Sequence, residues 1–268
     1  MTTPAQPPII QIKGLIKRFG DRAVLDGLNL NIPEGRITVI MGGSGCGKST
    51  FLRHLIGLHK PTEGEIWVDG ENIADMNEKS MNHVRRKFGM LFQGSALFNS
   101  MTVGENVALP LKEHTDLSQE IINIIVKVKL ELVGLTGFEH FMTYQISGGM
   151  KKRVALARAI AMDPKIVFYD EPGAGLDPIT ASMIDQLILD LSRKLKITSV
   201  VVTHEMKSAF RIADQMIILH KGRVLEVGPP DQVKNSTNPY VQQFINGEPE
   251  GAIPLNQTSD AYLKGLLD

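Results

Sequence analysis

Apolar and polar positions alternate along "IIQIKGLIKRFG" and "AVLDGLNLNI", which predicts two early strands, each with one wet face. "RITVIMG" is a short apolar run ending in glycines, the pattern of a buried strand. "EIWVDG" predicts a further strand closed by an Asp-Gly turn. From about Leu117 to Leu135 the spacing turns helical and places Ile121, Ile125, Val128 and Leu132 on one face. A second helix is predicted from Met150 to Met162. Strand and helix then alternate: "KIVFYDE", a helix from Pro178 to Lys194, "SVVVTH", a helix to about Ala213, and a hairpin in "QMIILHKGRVLEVG". This order predicts a nucleotide-binding α/β core with an early antiparallel β section and an inserted helical section. "MTTPAQPP" reads as a disordered leader. From Asn246 onward, "NGEPEGAIPLNQTSD" reads as a linker. It leads into "AYLKGLLD", where Tyr262, Leu263, Leu266 and Leu267 form either a frayed terminus or a short anchor for a protein surface.

Composition narrows the class. The 268 residues suffice for one large domain or two small ones sharing a core. Lys plus Arg and Asp plus Glu are 29 each, so the formal net charge is zero. A protein that grips a nucleic-acid backbone carries a basic excess, so the balance argues against a nucleic-acid partner. The single cysteine, Cys46, cannot form an intrachain disulfide or a multi-cysteine metal site, which fits a reducing compartment. The N-terminus has no signal-peptide pattern, and no apolar run reaches the roughly 18 residues that span a bilayer. Any membrane role is expected to come through a partner.

Three motifs carry chemistry. In "GGSGCGKST", Gly42, Gly47, Lys48 and Ser49 match G-x-x-x-x-G-K-[ST] after a buried strand. Gly42, Gly43, Ser44, Gly45, Cys46 and Gly47 would turn backbone N–H groups toward phosphate oxygens, and the helix that opens with Lys48, Ser49 and Thr50 would add its positive end. Lys48 would reach the β- and γ-phosphates and Ser49 would ligate Mg²⁺. Cys46 reads as a small filler; an acidified, reactive thiol is the alternative. In "IVFYDE", Asp170 would hold Mg²⁺ at the strand end and Glu171 would orient and deprotonate the attacking water. In "ISGGMKKR", Ser147, Gly148 and Gly149 open a helix and make a second anion-binding terminus, most simply used on another subunit's nucleotide. An N-capped helix with a basic first turn explains Ser147 but not the glycine pair.

The P-loop, "SGGM", "DEP", "GLDP" and "THE", in this order and spacing, resemble the ATP-binding subunit of an ABC transporter from about Ile9 to Ile245. The resemblance implies a P-loop NTPase core with an antiparallel β subdomain, an inserted helical subdomain over about 94–162, and a tail over 246–268 expected as a dimer or partner clasp. It implies ATP and Mg²⁺ as ligands. Phe19 is similar to the aromatic that stacks on adenine, and Gln93 to the Q-loop glutamine that contacts Mg²⁺ and the attacking water. Ser147 and Gly149 would touch the γ-phosphate across a head-to-tail dimer. Asp177 resembles the D-loop aspartate and His204 the switch histidine. Two positions depart from the family pattern: Met150 stands where Gln is commoner, and Phe19 where Tyr is usual. His83 and His140 lack such context and read as surface residues.

"LFQGSALFNSMTVGENVALPL" is almost uncharged although it lies between these motifs. By the resemblance it would receive a cytoplasmic helix of a membrane permease, with "SALF" and "VALPL" lining the groove; the alternative is a loop packed on the chain's own helices. The same segment, with "DEPGAGLDPI" and the tail, is similar to the ATPases of Mla-type phospholipid transporters. That likeness implies an integral permease, an MCE lipid-binding protein, a small STAS-domain protein and the cytoplasmic face of the bacterial inner membrane. Two rivals stay open: the ATPase of a transporter for another substrate, and a soluble ABC-type remodelling ATPase.

Overall fold

The structure, a computed structural model, describes residues 8–252. The leader (Pro8 apart) and the apolar cluster at 262–267 lie outside the described residues.

The chain opens with long strands β1 (Pro8–Phe19) and β2 (Arg22–Pro33), then β3 (Ile37–Gly42) and helix α1 (Lys48–Leu55). β4 (Glu63–Val68) and β5 (Glu71–Asn72) meet at the expected Asp-Gly turn, where Asp69 and Gly70 both take left-handed φ. α2 (Glu78–Arg85) and β6 (Phe88–Leu91) precede a helical group: α3 (Val103–His114), α4 (Gln119–Leu132) and α5 (Gly148–Ala159). The last section runs β7 (Ile166–Asp170), α6 (Pro178–Leu195), β8 (Thr198–Val202), α7 (Met206–Ile212), β9 (Gln215–His220), β10 (Arg223–Gly228), α8 (Pro230–Lys234) and α9 (Pro239–Asn246). No helix among the described residues is long and apolar enough to cross a membrane.

Two sheets result. An antiparallel sheet has the order β2-β1-β4-β5, and a six-stranded sheet the order β10-β9-β3-β8-β7-β6, parallel except for β10. The strands β3, β7, β8 and β9 are apolar on both faces because each face meets a different core. Ile40, Phe168, Val200, Val202, Ile217 and Leu219 pack with α1 and the antiparallel sheet. Val39, Met41, Val167, Tyr169, Val201 and Ile218 pack with the helices. Side chains that alternate across a strand thus supply both cores, and each fully buried one contributes about 1.5–3 kcal/mol.

The helices correct two expectations. α4 buries Ile122, Val126 and Leu130, whereas Ile121 and Val128 are exposed. The true buried stripe lies one residue along from the expected one, because a nearly all-apolar run such as "IINIIV" lets more than one face satisfy the same period. "VALPL" lies within α3, where Val107, Ala108 and Leu111 are buried core residues with little surface left for a partner. In "SALF", Ser95 is buried, Leu97 packs against the core and Phe98 is half exposed; neighbouring Phe92 is also exposed.

The turn before α3 is held from inside. Asn106 is fully buried; its side-chain oxygen accepts from the Phe98 N–H at 2.8 Å, and its amide donates to the carbonyls of Phe98, Met101 and Thr102. Replacing Asn106 with Ala strands these groups, so the variant should lose about 2–3 kcal/mol in chemical denaturation. A loss under about 0.5 kcal/mol would show that the amide is dispensable.

Candidate functional site

The strand ladders align three loops. Ile40 of β3 pairs with Val202 of β8, and Val202 with Asp170 of β7. The loops after these strands therefore leave the sheet at one C-terminal edge, the edge where parallel sheets bind ligands.

After β3, Gly42 takes a left-handed φ; a Cβ there would collide with the Leu219 carbonyl and the Cys46 sulfur. A Cβ at Gly47 would lie 2.8–2.9 Å from Leu25 and the Val24 carbonyl. The loop is thus wedged against β2 and the β9–β10 turn, where the Gly222 N–H donates to the Cys46 carbonyl and the Asp26 N–H to the Gly222 carbonyl. On its outer side Ser44, Gly45 and Ser49 are exposed, and Cβ atoms at Gly43 or Gly45 would meet nothing within 4 Å. The Lys48 ammonium arches over the loop and donates to the carbonyls of Gly42 and Gly43 at 2.7 and 3.1 Å. The Thr50 carbonyl accepts from His54 within α1. Cys46 is buried, and burial raises its thiol above the ordinary range despite the nearby Lys48 charge, so the reactive-thiol alternative is not supported.

After β7, Asp170 lies half-buried. Burial and then the neighbouring Glu171 carboxylate raise its carboxyl, while Arg53, Lys152 and Lys48 pull it back. Glu171 turns at φ 47°, an uncommon conformation for a non-glycine residue, and its N–H is fixed by the Val202 carbonyl. One Glu171 oxygen lies 2.8 Å from His204 Nδ1; the other accepts from the Thr203 hydroxyl at 3.2 Å and the His204 N–H at 3.4 Å. An ionised carboxylate only accepts, which assigns the shared hydrogen to Nδ1. The structure therefore brings Lys48, Asp170, Glu171 and His204 to one strand edge.

Other candidates sit on the rim. Phe19 ends β1 half exposed, with Lys17 over its ring and His59 against its edge. The Gln93 side chain is exposed beyond β6. Ser147 caps α5 by accepting from the Met150 N–H. A Cβ at Gly149 would stand 2.6 Å from the Thr180 methyl, so packing alone explains one glycine of the pair; at Gly148 there is room. Asp177 caps α6 through the N–H groups of Ile179 and Thr180, and hydrogen bonding from the Thr180 side chain, then from the Thr180 and Ile179 N–H groups, holds its carboxyl below the usual range. His83 and His140 are exposed.

Two cations of α5 belong to none of the catalytic motifs. Lys152 donates to the Gln93 carbonyl at 2.5 Å, and Arg158 to those of Ser95 and Ala96 at 2.8 and 2.7 Å. Ser95 and Ala96 both carry left-handed φ, so Arg158 holds a strained turn. Their sequence signal, a basic stretch in an N-capped helix, is common to many solvated helices.

The donor set fits a hard cation. Ser49, Asp170 and Gln93 offer hydroxyl, carboxylate and amide oxygens, and no cluster of three His, Cys, Asp or Glu competes among the described residues.

The ABC transporter family model matches residues 25–174. The chain is 41% identical to the intermembrane phospholipid transport system ATP-binding protein MlaF of Haemophilus influenzae, over 97% of this chain and 98% of that protein. It is 42% identical to a probable ribonucleotide transport ATP-binding protein of Mycobacterium leprae, over 94% of this chain and 72% of that protein. Among solved structures, the dimeric post-hydrolysis state of the ATP-binding cassette MJ0796 bound to ADP and Pi aligns with a TM-score of 0.75 at 35% identity, covering 82% of this chain and 98% of that one.

The contact at Gly149 yields a test of the rim. Gly149→Ala should lower the melting temperature, and adding Thr180→Ser, which removes the clashing methyl, should restore it. Failure of the second change to restore stability would place the clash elsewhere.

Proposed function

The chain belongs to the ABC transporter ATP-binding family, and from that premise we propose that it is the ATP-hydrolysing subunit of a phospholipid transporter, working as a head-to-tail pair at the cytoplasmic face of an inner membrane. The observation that carries the chemistry is the convergence of Lys48, Asp170, Glu171 and His204 at one sheet edge. The lipid class rests on the match to the Haemophilus protein, which spans nearly the whole of both chains.

Phosphoryl transfer to water needs positioning and charge neutralisation rather than covalent help from the protein. Phe19 stacks on the base. The 42–50 loop surrounds the phosphates with N–H groups, and Lys48 swings from its own loop carbonyls to phosphate oxygens. Ser49, Asp170 and Gln93 would hold Mg²⁺, which when bound neutralises phosphate charge. Glu171 accepts the proton of the attacking water. His204 fixes the Glu171 carboxylate and faces the terminal phosphate. Ser147, Gly148, Gly149 and Asp177 approach the nucleotide held by the partner protomer, so a closed pair holds two ATP molecules. Phe92 and Phe98 form the contact for the permease, through which an MCE protein and a STAS-domain protein complete the assembly. The mycobacterial relative favours a second reading, the same engine driving a different cargo.

Lys48→Ala should weaken ATP binding about tenfold to a hundredfold, by loss of a charge-assisted hydrogen bond. Glu171→Gln should bind ATP normally and lose about 10²–10⁴-fold in turnover. Nucleotide titration and phosphate release read both, and normal turnover in Glu171→Gln would remove that residue as base. For the cargo, tagged protein should recover a permease, an MCE protein and excess phospholipid from gently solubilised membranes, as read by mass spectrometry. Recovery of a permease with a soluble solute-binding protein and no lipid enrichment would replace the phospholipid reading with the second one.

A further inference from the structure

Lys152 is 4% exposed, and lysines are almost never buried without partners. Among the described residues no carboxylate lies within ion-pair distance of its ammonium. Its hydrogen bonds go to two main-chain carbonyls, those of Gln93 at 2.5 Å and Glu171 at 3.4 Å.

The location explains the choice. β6 and β7 are paired in register, with Leu91 opposite Tyr169. β6 ends at Leu91 and β7 at Asp170, so the shared ladder stops there. Gln93 and Glu171 stand two residues beyond that last pair, on the segments that follow the two strands, where the ladder has ended. One ammonium, entering from the first turns of α5, bridges the gap. Glu171 needs such support, since its left-handed φ points the peptide that follows in an uncommon direction. Burial pulls the Lys152 ammonium down, with the Asp170 and Glu171 charges opposing, so the cation sits there at a cost. An apolar side chain of similar length would fill the space without that cost.

We propose that Lys152 is a positioning residue for hydrolysis, holding the backbones that carry Gln93 and Glu171 at one fixed separation from within the helix that Ser147 opens. The assignment deepens the hydrolase reading and rests on it. It makes α5 a single lever: its first residue, Gly148, faces the partner's nucleotide, while Lys152 four residues on grips both ends of the protein's own hydrolytic apparatus.

The test uses the full chain in the complex purified with its permease. Lys152→Met keeps the volume and removes the donors; Lys152→Arg keeps a cation that can reach both carbonyls; Lys152→Gln keeps a neutral donor. Lys152→Met should lower kcat about tenfold to a hundredfold while KM for ATP changes less than about threefold, the signature of misplaced groups around intact binding. Its melting temperature should equal or exceed that of the wild type. Lys152→Arg should recover most of kcat, with Lys152→Gln between the two; if Lys152→Met does not fold, the order of Lys152→Gln below Lys152→Arg carries the test. Wild-type kcat in Lys152→Met would overturn the proposal. So would kcat and melting temperature falling together without rescue by Lys152→Arg, which marks a merely structural lysine. A wild-type complex that releases no phosphate from ATP would instead overturn the hydrolase reading itself.

Discussion

The register of three parallel strands governs the rest of the structure. Once Ile40, Val202 and Asp170 lie side by side, the phosphate-type loop, the Thr203–His204 turn and the Glu171 turn have one exit in common. A one-residue slip of β7 would exchange Val167 and Tyr169 with Ile166 and Phe168, sending each pair into the wrong core. Burial on both faces therefore locks the register, and the register sets the distance between Glu171 and His204. The site's geometry is fixed by residues with no polar atom in it.

What the strands do not fix is supplied by hydrogen bonds to main-chain carbonyls. Past the ends of β3, β6 and β7 the backbone leaves the ladder and its polar groups need new partners. Lys48, Lys152 and Arg158 each find two such carbonyls, and Asn106 three. Cationic and amide donors thus continue the sheet's work on loops too irregular to pair. Lys87 does the same with side chains, tying Asp69 and Glu71 of the antiparallel sheet to the approach of β6. Burial pushes the Asp69 carboxyl up, and the hydrogen bonds and charges of Lys87 and Lys165 more than offset it, leaving it below the usual range.

The legible part of the sequence was the part whose cause is local. Gly42 and Gly47 declare a backbone that tolerates no Cβ; "IVFYDE" declares a buried strand with acids at its end; Ser147 declares a helix start. Lys152 and Arg158 act across 59 to 63 residues on carbonyls, which every residue possesses, so no residue type marks the partner. α4 misled because six positions of "IINIIV" contain five apolar ones, and only its neighbours α3 and α5 decide which are covered. "VALPL" misled for the opposite reason: an uncharged segment beside motifs looks available to a partner, yet α3 uses most of it internally.

The tip of the β9–β10 hairpin carries one more consequence. A two-residue turn at Lys221 and Gly222 resembles any surface hairpin, the sort of place where tags, permuted termini or inserted domains are tolerated. Here Gly222 is a shim between Cys46 and Asp26, and no side chain fits in the space it leaves against Val24. The nucleotide loop is consequently a three-body joint, built from segments nearly 200 residues apart, and cutting the chain at this hairpin would remove one of its three supports.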